Sequence, residues 1–180
     1  MSSLIFEIID KTKEPVEPQI FLALPNKTII GKLNEAFNIN YHHQLNAINE
    51  LSFDIPYKID IHHKFVDNPN IKNIRYRYLI KLVLGNQTEW FLITQLNDNA
   101  DENKEYLTVK CHSLGYELTD RLIVTYDVTS YTLEEMLMGK LTDDMPGILS
   151  ETNWTVGYVD SDFVLTYRSY SASSKTVLDC

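Results

Sequence analysis

The stretch Arg75-Tyr76-Arg77-Tyr78-Leu79-Ile80-Lys81-Leu82-Val83-Leu84 alternates with a period of two. Tyr76, Tyr78, Ile80, Leu82 and Leu84 fall on one face, and Arg75, Arg77 and Lys81 on the other. Such alternation is the mark of a strand with one side buried and one side wet. Gly85-Asn86 follows with turn chemistry, and Trp90-Phe91-Leu92-Ile93 returns, so the segment reads as a β-hairpin with a short loop.

The pattern recurs on both sides. In Leu51-Ser52-Phe53-Asp54-Ile55-Pro56 the apolar residues share one face, with Ser52 and Asp54 opposite and Pro56 marking an end or an edge. Tyr106 to His112 reads as another strand, with Leu107, Val109 and Cys111 inward, and Leu114, Tyr116 and Leu118 continue it beyond a kink at Gly115. Met1 to Asp10 reads as a first strand: it has no basic region ahead of its apolar residues and carries Glu7 inside them, unlike a signal peptide. Asn97 to Glu105, acidic and without apolar period, reads as a loop. Asn34-Glu35-Ala36-Phe37 is compatible with strand or loop. Antiparallel strands joined by turns imply a β-barrel or sandwich.

At Thr132 the period changes. Thr132-Leu133-Glu134-Glu135 is a capping box, and Leu133, Met136, Leu137, Lys140 and Leu141 follow with helical spacing up to Asp143-Asp144-Met145-Pro146-Gly147. Trp154, Val156 and Tyr158 alternate as one strand and Phe163, Leu165 and Tyr167 as another, joined by Asp160-Ser161-Asp162. Ser173 or Ser174 would cap a helix over Lys175 to Cys180 that is too short to stand alone, which makes the chain an expected fragment of something longer or one covered there by a partner. The organisation read from the sequence is a β-barrel over 1–128 and the start of a small, truncated α/β domain over 129–180.

Sixteen Lys and Arg against twenty-five Asp and Glu leave a net charge of −9 in 180 residues. Residues 1–128 hold 13 basic and 17 acidic residues, and residues 129–180 hold 3 and 8, so the acidity is densest in the second part. This balance opposes a grip on nucleic acid or on an anionic membrane, both of which need a cationic face. An apolar fraction of 44% excludes an acidic disordered tail. No apolar run approaches the ~20 residues of a membrane-spanning helix, and no repeat appears at a solenoid or propeller period. Cys111 and the terminal Cys180 make a structural disulfide an unlikely design, and a reducing compartment is the expectation.

The order and spacing of several segments resemble phage tail hub proteins of the tail-associated lysin, or prophage endopeptidase tail, type. The segments are Leu51 to Tyr57; Tyr78-Leu79-Ile80 with Glu89 to Ile93; Val109 to Leu118; Thr132 to Leu137; Asn153 to Gly157; and Ser174 to Cys180. The resemblance implies a mainly β fold with some α: a barrel of tail-tube type followed by a small α/β segment. It also implies a homotrimeric ring at the tail tip or baseplate, with distal tail, tail tube and other tail-tip proteins as partners. DNA would pass without being specifically bound, in a virion assembled in the host cytoplasm. Lytic modules of such hubs lie in C-terminal regions, so no enzyme activity is carried over.

The residues themselves give no catalytic, cofactor or metal site. His42-His43 and His62-His63 are adjacent pairs, and neighbours on a strand point to opposite faces. HExxH and CxxC are both absent. Cys111 and His112 diverge for the same reason, and Cys111 falls on the apolar face. Asp160 and Asp162 are two carboxylates without further oxygen ligands, as in a solvated turn. The eleven tyrosines read as core or subunit interface before they read as a sugar platform. The Arg75 and Arg77 stripe reads as a solvated face that, in a ring, would meet an acidic neighbour such as the segment from Asn97 to Glu105. The competing functions are therefore a structural tail hub, one part of a tail-associated peptidoglycan hydrolase, and a carbohydrate-binding β module. If barrels line a DNA channel, acidic lumen residues would keep phosphates from sticking.

Overall fold

The structure is a computed structural model that describes residues 17–43, 47–101, 104–140, 142 and 144–179. The segment read as a first strand, Met1 to Asp10, lies outside them, as does Cys180. The chain forms two compact units that divide between Ser113 and Leu114.

Among the described residues the first unit holds nine strands: β1 (Gln19–Ala23), β2 (Ile29–Lys32), β3 (Phe37–His42), β4 (Glu50–Pro56), β5 (Lys58–Ile61), β6 (Lys64–Asp67), β7 (Leu79–Leu84), β8 (Gln87–Asp101) and β9 (Lys104–Ser113). Seven of them make one sheet in the order β2-β1-β7-β8-β9-β4-β3, with every pairing antiparallel. The two edge strands, β2 and β3, are consecutive in the chain and joined only by Leu33 to Ala36. That link reaches at most about 18 Å, whereas six strand spacings would hold the edges of a flat sheet about 29 Å apart. The sheet must therefore curl. Its curl brings Tyr41 of edge strand β3 against Phe91 of β8, with ring centroids 6.0 Å apart, and beside Leu82 and Leu84 of β7.

The curl encloses the core. Ile20, Leu22, Ile80, Leu82, Phe91, Ile93, Val109, Cys111, Leu51, Phe53 and Ile55 are all buried on its inner face. These are the alternating inward positions of β1, β7, β8, β9 and β4, each large side chain contributing about 1.5–3 kcal/mol by leaving water. Gly85, at φ 59°, opens the two-residue loop between β7 and β8, a place that hairpin turns give to glycine. β5 and β6 form a separate hairpin whose loop, His62-His63, has both residues at positive φ (53° and 60°). Asn68 anchors that hairpin: its Nδ2 donates to the Pro56 carbonyl, and its Oδ1 accepts from Asn70 N–H.

Several expectations are corrected. The strand read from Arg75 starts at Leu79, because Tyr76-Arg77 form a turn in which Tyr78 N–H bonds Arg75 O and Arg77 sits at φ 66°. Asn97 to Asp101 is not loop but strand, paired with Lys104 to Thr108. It lacks apolar period because this end of the hairpin extends past β7 and meets no core. Leu114 to Asp120 is a 3-10 helix rather than a continuing strand.

The second unit holds β10 (Leu122–Tyr131), α1 (Leu133–Met138), β11 (Gly139–Lys140), β12 (Met145–Pro146), α2 (Ser161–Val164) and β13 (Arg168–Thr176). β10 pairs with β13 and not with the large sheet, which moves the division from 128/129 to 113/114. The capping box forms as read: Glu135 N–H donates to Thr132 Oγ1, and Thr132 N–H donates to Glu135 Oε2. The helix stops at Met138 instead of reaching Leu141, because Gly139 turns to φ 95°, where an added Cβ would meet Gly147 N and Met145 O at 2.8 Å.

The core of this unit gathers Tyr126, Val128, Tyr131, Met136, Ile148, Ala172 and Val177. Trp154 to Tyr158 has no regular structure, and Phe163 lies in α2 rather than in a strand. Tyr158, Leu165 and Tyr167 are exposed, so their alternation has nothing to bury against. The last turn is 3-10, Val177–Asp179. Its cap is Thr176, whose N–H and hydroxyl donate to Asp179 Oδ2, instead of Ser173 or Ser174 within β13.

Phe91→Ala is expected to cost about 3–5 kcal/mol by leaving a cavity in the curl, read from urea denaturation of the first unit. Thr132→Ala is expected to cost about 1 kcal/mol, confined to the second unit and read as faster amide exchange in α1.

Candidate functional site

The residues singled out by sequence do not converge. His42 lies at the end of β3, whereas His62 and His63 form a hairpin turn. Among the described residues no three His, Cys, Asp or Glu lie close enough to hold a metal ion. Cys111 is fully enclosed on the inner face, and burial pushes its thiol far above the ordinary range, so no thiolate nucleophile is available. His112 points the other way and bonds Thr94 Oγ1 at 2.7 Å. Asp160 precedes α2, a four-residue helix, instead of closing a turn between two strands. The tyrosines are dispersed: Tyr41, Tyr57 and Tyr78 pack on the first core and Tyr126, Tyr131 and Tyr170 in the second, while Tyr76, Tyr158 and Tyr167 are exposed on separate segments.

The outer face of the sheet is where the chain concentrates polar chemistry. Outward positions of β4 alternate with the buried Leu51, Phe53 and Ile55, which places Ser52 and Asp54 beside Lys110 and Thr108 of β9. Asp54 is buried, yet its carboxylate accepts from Asn38 Nδ2 at 2.9 Å and from Thr108 Oγ1 at 2.6 Å. Around it Asn38, Asn40, Asn99 and Tyr106 line an open trough of about 460 Å³. A second trough, about 470 Å³, shares Asn40 and Ser52 and adds His42, Glu50, Gln95, Lys110 and His112. Both suit polar contact. In the first, the Thr108 hydroxyl is held on the Asp54 carboxylate by the pairing of β4 with β9.

The other half of the outer face is different. Register places Lys32, Phe21, Lys81 and Trp90 in one row across β2, β1, β7 and β8. Lys32 Nζ lies 5.7 Å from the Phe21 ring, Lys81 Nζ lies 5.8 Å from the Trp90 ring, and Lys27 Nζ lies 5.7 Å from that same indole. Cation and aromatic ring thus alternate, an arrangement worth about 0.5–1 kcal/mol per contact at exposed sites. Sequence reading missed this row because it depends on cross-strand register.

Two phenols bind carboxylates. Tyr41 OH donates to Glu89 Oε2 at 2.7 Å, while Asn49 Nδ2 donates to Glu89 Oε1 at 2.7 Å. Burial first, then Glu89, raises Tyr41 to a pKa of about 12. Tyr57 OH donates to Asp98 Oδ1, and that bond, with burial and the charges of Asp98 and Glu105, also raises Tyr57 to about 12.

The first unit is thus a curled antiparallel sheet whose outer face carries two polar troughs and a row of alternating cations and rings. Residues 22–111 match the YOMG N-terminal domain family, and the chain belongs to that family. It is 33% identical over 163 residues to the SPbeta prophage-derived protein YomG of Bacillus subtilis (strain 168). That match covers 89% of this chain and spans 17% of YomG. The fold is similar to that of prophage tail protein gp18 from Listeria monocytogenes EGD-e, with a TM-score of 0.53 at 14% identity, covering 89% of this chain and 43% of gp18. The tail protein from Neisseria meningitidis MC58 aligns at a TM-score of 0.46 and 14% identity, over 89% of this chain and 42% of its own.

The raised phenols set an alkaline limit. Their protonated forms are held in the fold, so the stability they add is complete below pH 10 and is lost between about pH 10 and 12, as the unfolded chain ionises first. Ultraviolet titration of the native protein should show late-ionising tyrosines, and Tyr41→Phe and Tyr57→Phe should each remove one.

Proposed function

We propose that this chain is the N-terminal structural part of a tail hub, which forms a ring at the tip or baseplate end of a phage or prophage-derived tail tube. The observation that carries the reading is the curled seven-stranded sheet, similar in fold to a prophage tail protein, in a chain whose family includes a prophage-derived relative. The role is assembly rather than catalysis. In support, Cys111 is enclosed in the core while His112 faces the opposite side of the sheet, so the one adjacent thiol and imidazole are kept apart.

The partners are two further copies of the chain, the distal tail and tail tube proteins, and other tail-tip proteins. The place is the virion tail, after assembly in the host cytoplasm. DNA passes without being held, a role suited to a net charge of −9. Mass measurement by light scattering on the full-length protein should give a homotrimer. A strict monomer at high concentration would sink the ring.

A further inference from the structure

Lys32 and Lys81 of the outer row, with Lys27 beside them, are cations held on aromatic rings. Among the described residues none of Lys27, Lys32 and Lys81 makes an ion pair, and their recorded partners are the rings of Phe21 and Trp90. In a chain with a net charge of −9, Lys32 on β2, Lys81 on β7 and Lys27 in the loop between β1 and β2, gathered on the rings of Phe21 and Trp90, are a local excess of cations. The complementary surface is in the same molecule. The far end of the β8–β9 hairpin carries Asp98 and Glu105. Asp98 and Glu105 are exposed there, and both charges raise the phenol of Tyr57. The hairpin continues past the last pairs of β7 and β4, joined to the residue after β4 by Tyr57, whose N–H donates to Glu105 O and whose hydroxyl donates to Asp98 Oδ1.

One molecule cannot join its own two patches. Trp90 and Asp98 lie on the same strand, β8, eight residues apart, which fixes them about 26 Å from each other. Only another molecule can bring an acidic hairpin to this row.

We propose that the row formed by Lys32, Phe21, Lys81 and Trp90, with Lys27, receives the acidic β8–β9 hairpin end of a second copy of this chain. The contact joins two different patches head to tail, the kind of interface that closes into rings. It rests on the ring reading above and names the surfaces that would build the ring. It also replaces Arg75 and Arg77 as the cations that face the acidic segment.

Sedimentation velocity on the 180-residue chain tests it. Lys27→Glu/Lys32→Glu changes two exposed side chains, and Asp98→Lys/Glu105→Lys reverses the hairpin. Each pair should weaken self-association by about tenfold or more, and combining them should restore it. Added salt should weaken the wild-type contact. Circular dichroism checks folding, and Lys27→Gln/Lys32→Gln, which only neutralises, should weaken association less than the reversal does. Association unchanged in either reversed pair, or no recovery on combining them, overturns this contact while the ring reading stands. A wild-type chain that stays monomeric throughout also overturns this contact, whereas the ring reading falls only with a monomeric full-length protein.

Discussion

Everything in the first unit follows from a short tether. Four residues, Leu33 to Ala36, tie the two outermost strands of a seven-stranded sheet to each other. Strand spacing makes a flat sheet too wide for that tether, so the sheet closes toward a barrel. Leu33 fixes the link from both sides: its N–H donates to Ile20 O on β1, and its side chain is buried in the core. Once the sheet is curled, most inward positions lose water and are apolar, while the inward Glu89 has its carboxylate bonded by Tyr41 and Asn49. Outward positions are left to carry whatever the protein does. The division of labour between Phe53 and Asp54, adjacent in β4, is a direct result.

The outward face is itself divided. Across β3, β4, β9 and the second half of β8 the outward residues include amides, hydroxyls, His42, His112, Glu50, Lys110 and the buried Asp54, whose hydrogen bonds are met within the sheet. Across β2, β1, β7 and the start of β8 they include Lys32 and Lys81, set on the rings of Phe21 and Trp90. A ring stabilises an ammonium but does not neutralise it, so the second half keeps its charge while Asp54 has its hydrogen bonds met.

How much was legible in the sequence depended on what each residue touches. Leu51 to Pro56, Leu79 to Leu84 and Leu107 to Cys111 could be read as strands because one face is buried and the alternation records it. The capping box at Thr132 was legible because both of its hydrogen bonds are local. Asn97 to Asp101 was not, since it carries no apolar period and is held by the ladder to β9 and by the bond from Tyr57 OH to Asp98. The stretch from Trp154 to Tyr167 misled in the opposite sense: alternation is present, but Tyr158, Leu165 and Tyr167 are exposed. The acidic excess was plain from composition, but the lysine row needed a register that no single strand contains.

That last difference bears on how such a surface works. Lys32, Phe21, Lys81 and Trp90 come from four strands and share nothing in sequence. They become neighbours only when β2, β1, β7 and β8 pair in one register, and that register is enforced from the opposite side by Ile20, Leu22, Ile80, Leu82 and Phe91. A slip of one residue would turn the lysines inward and expose the core. The buried face and the charged row are therefore coupled: the hydrophobic effect that closes the curl also sets the spacing of the cations. A contact made through that row is available only to a correctly folded copy, which is the condition that ordered addition of subunits to an assembly requires.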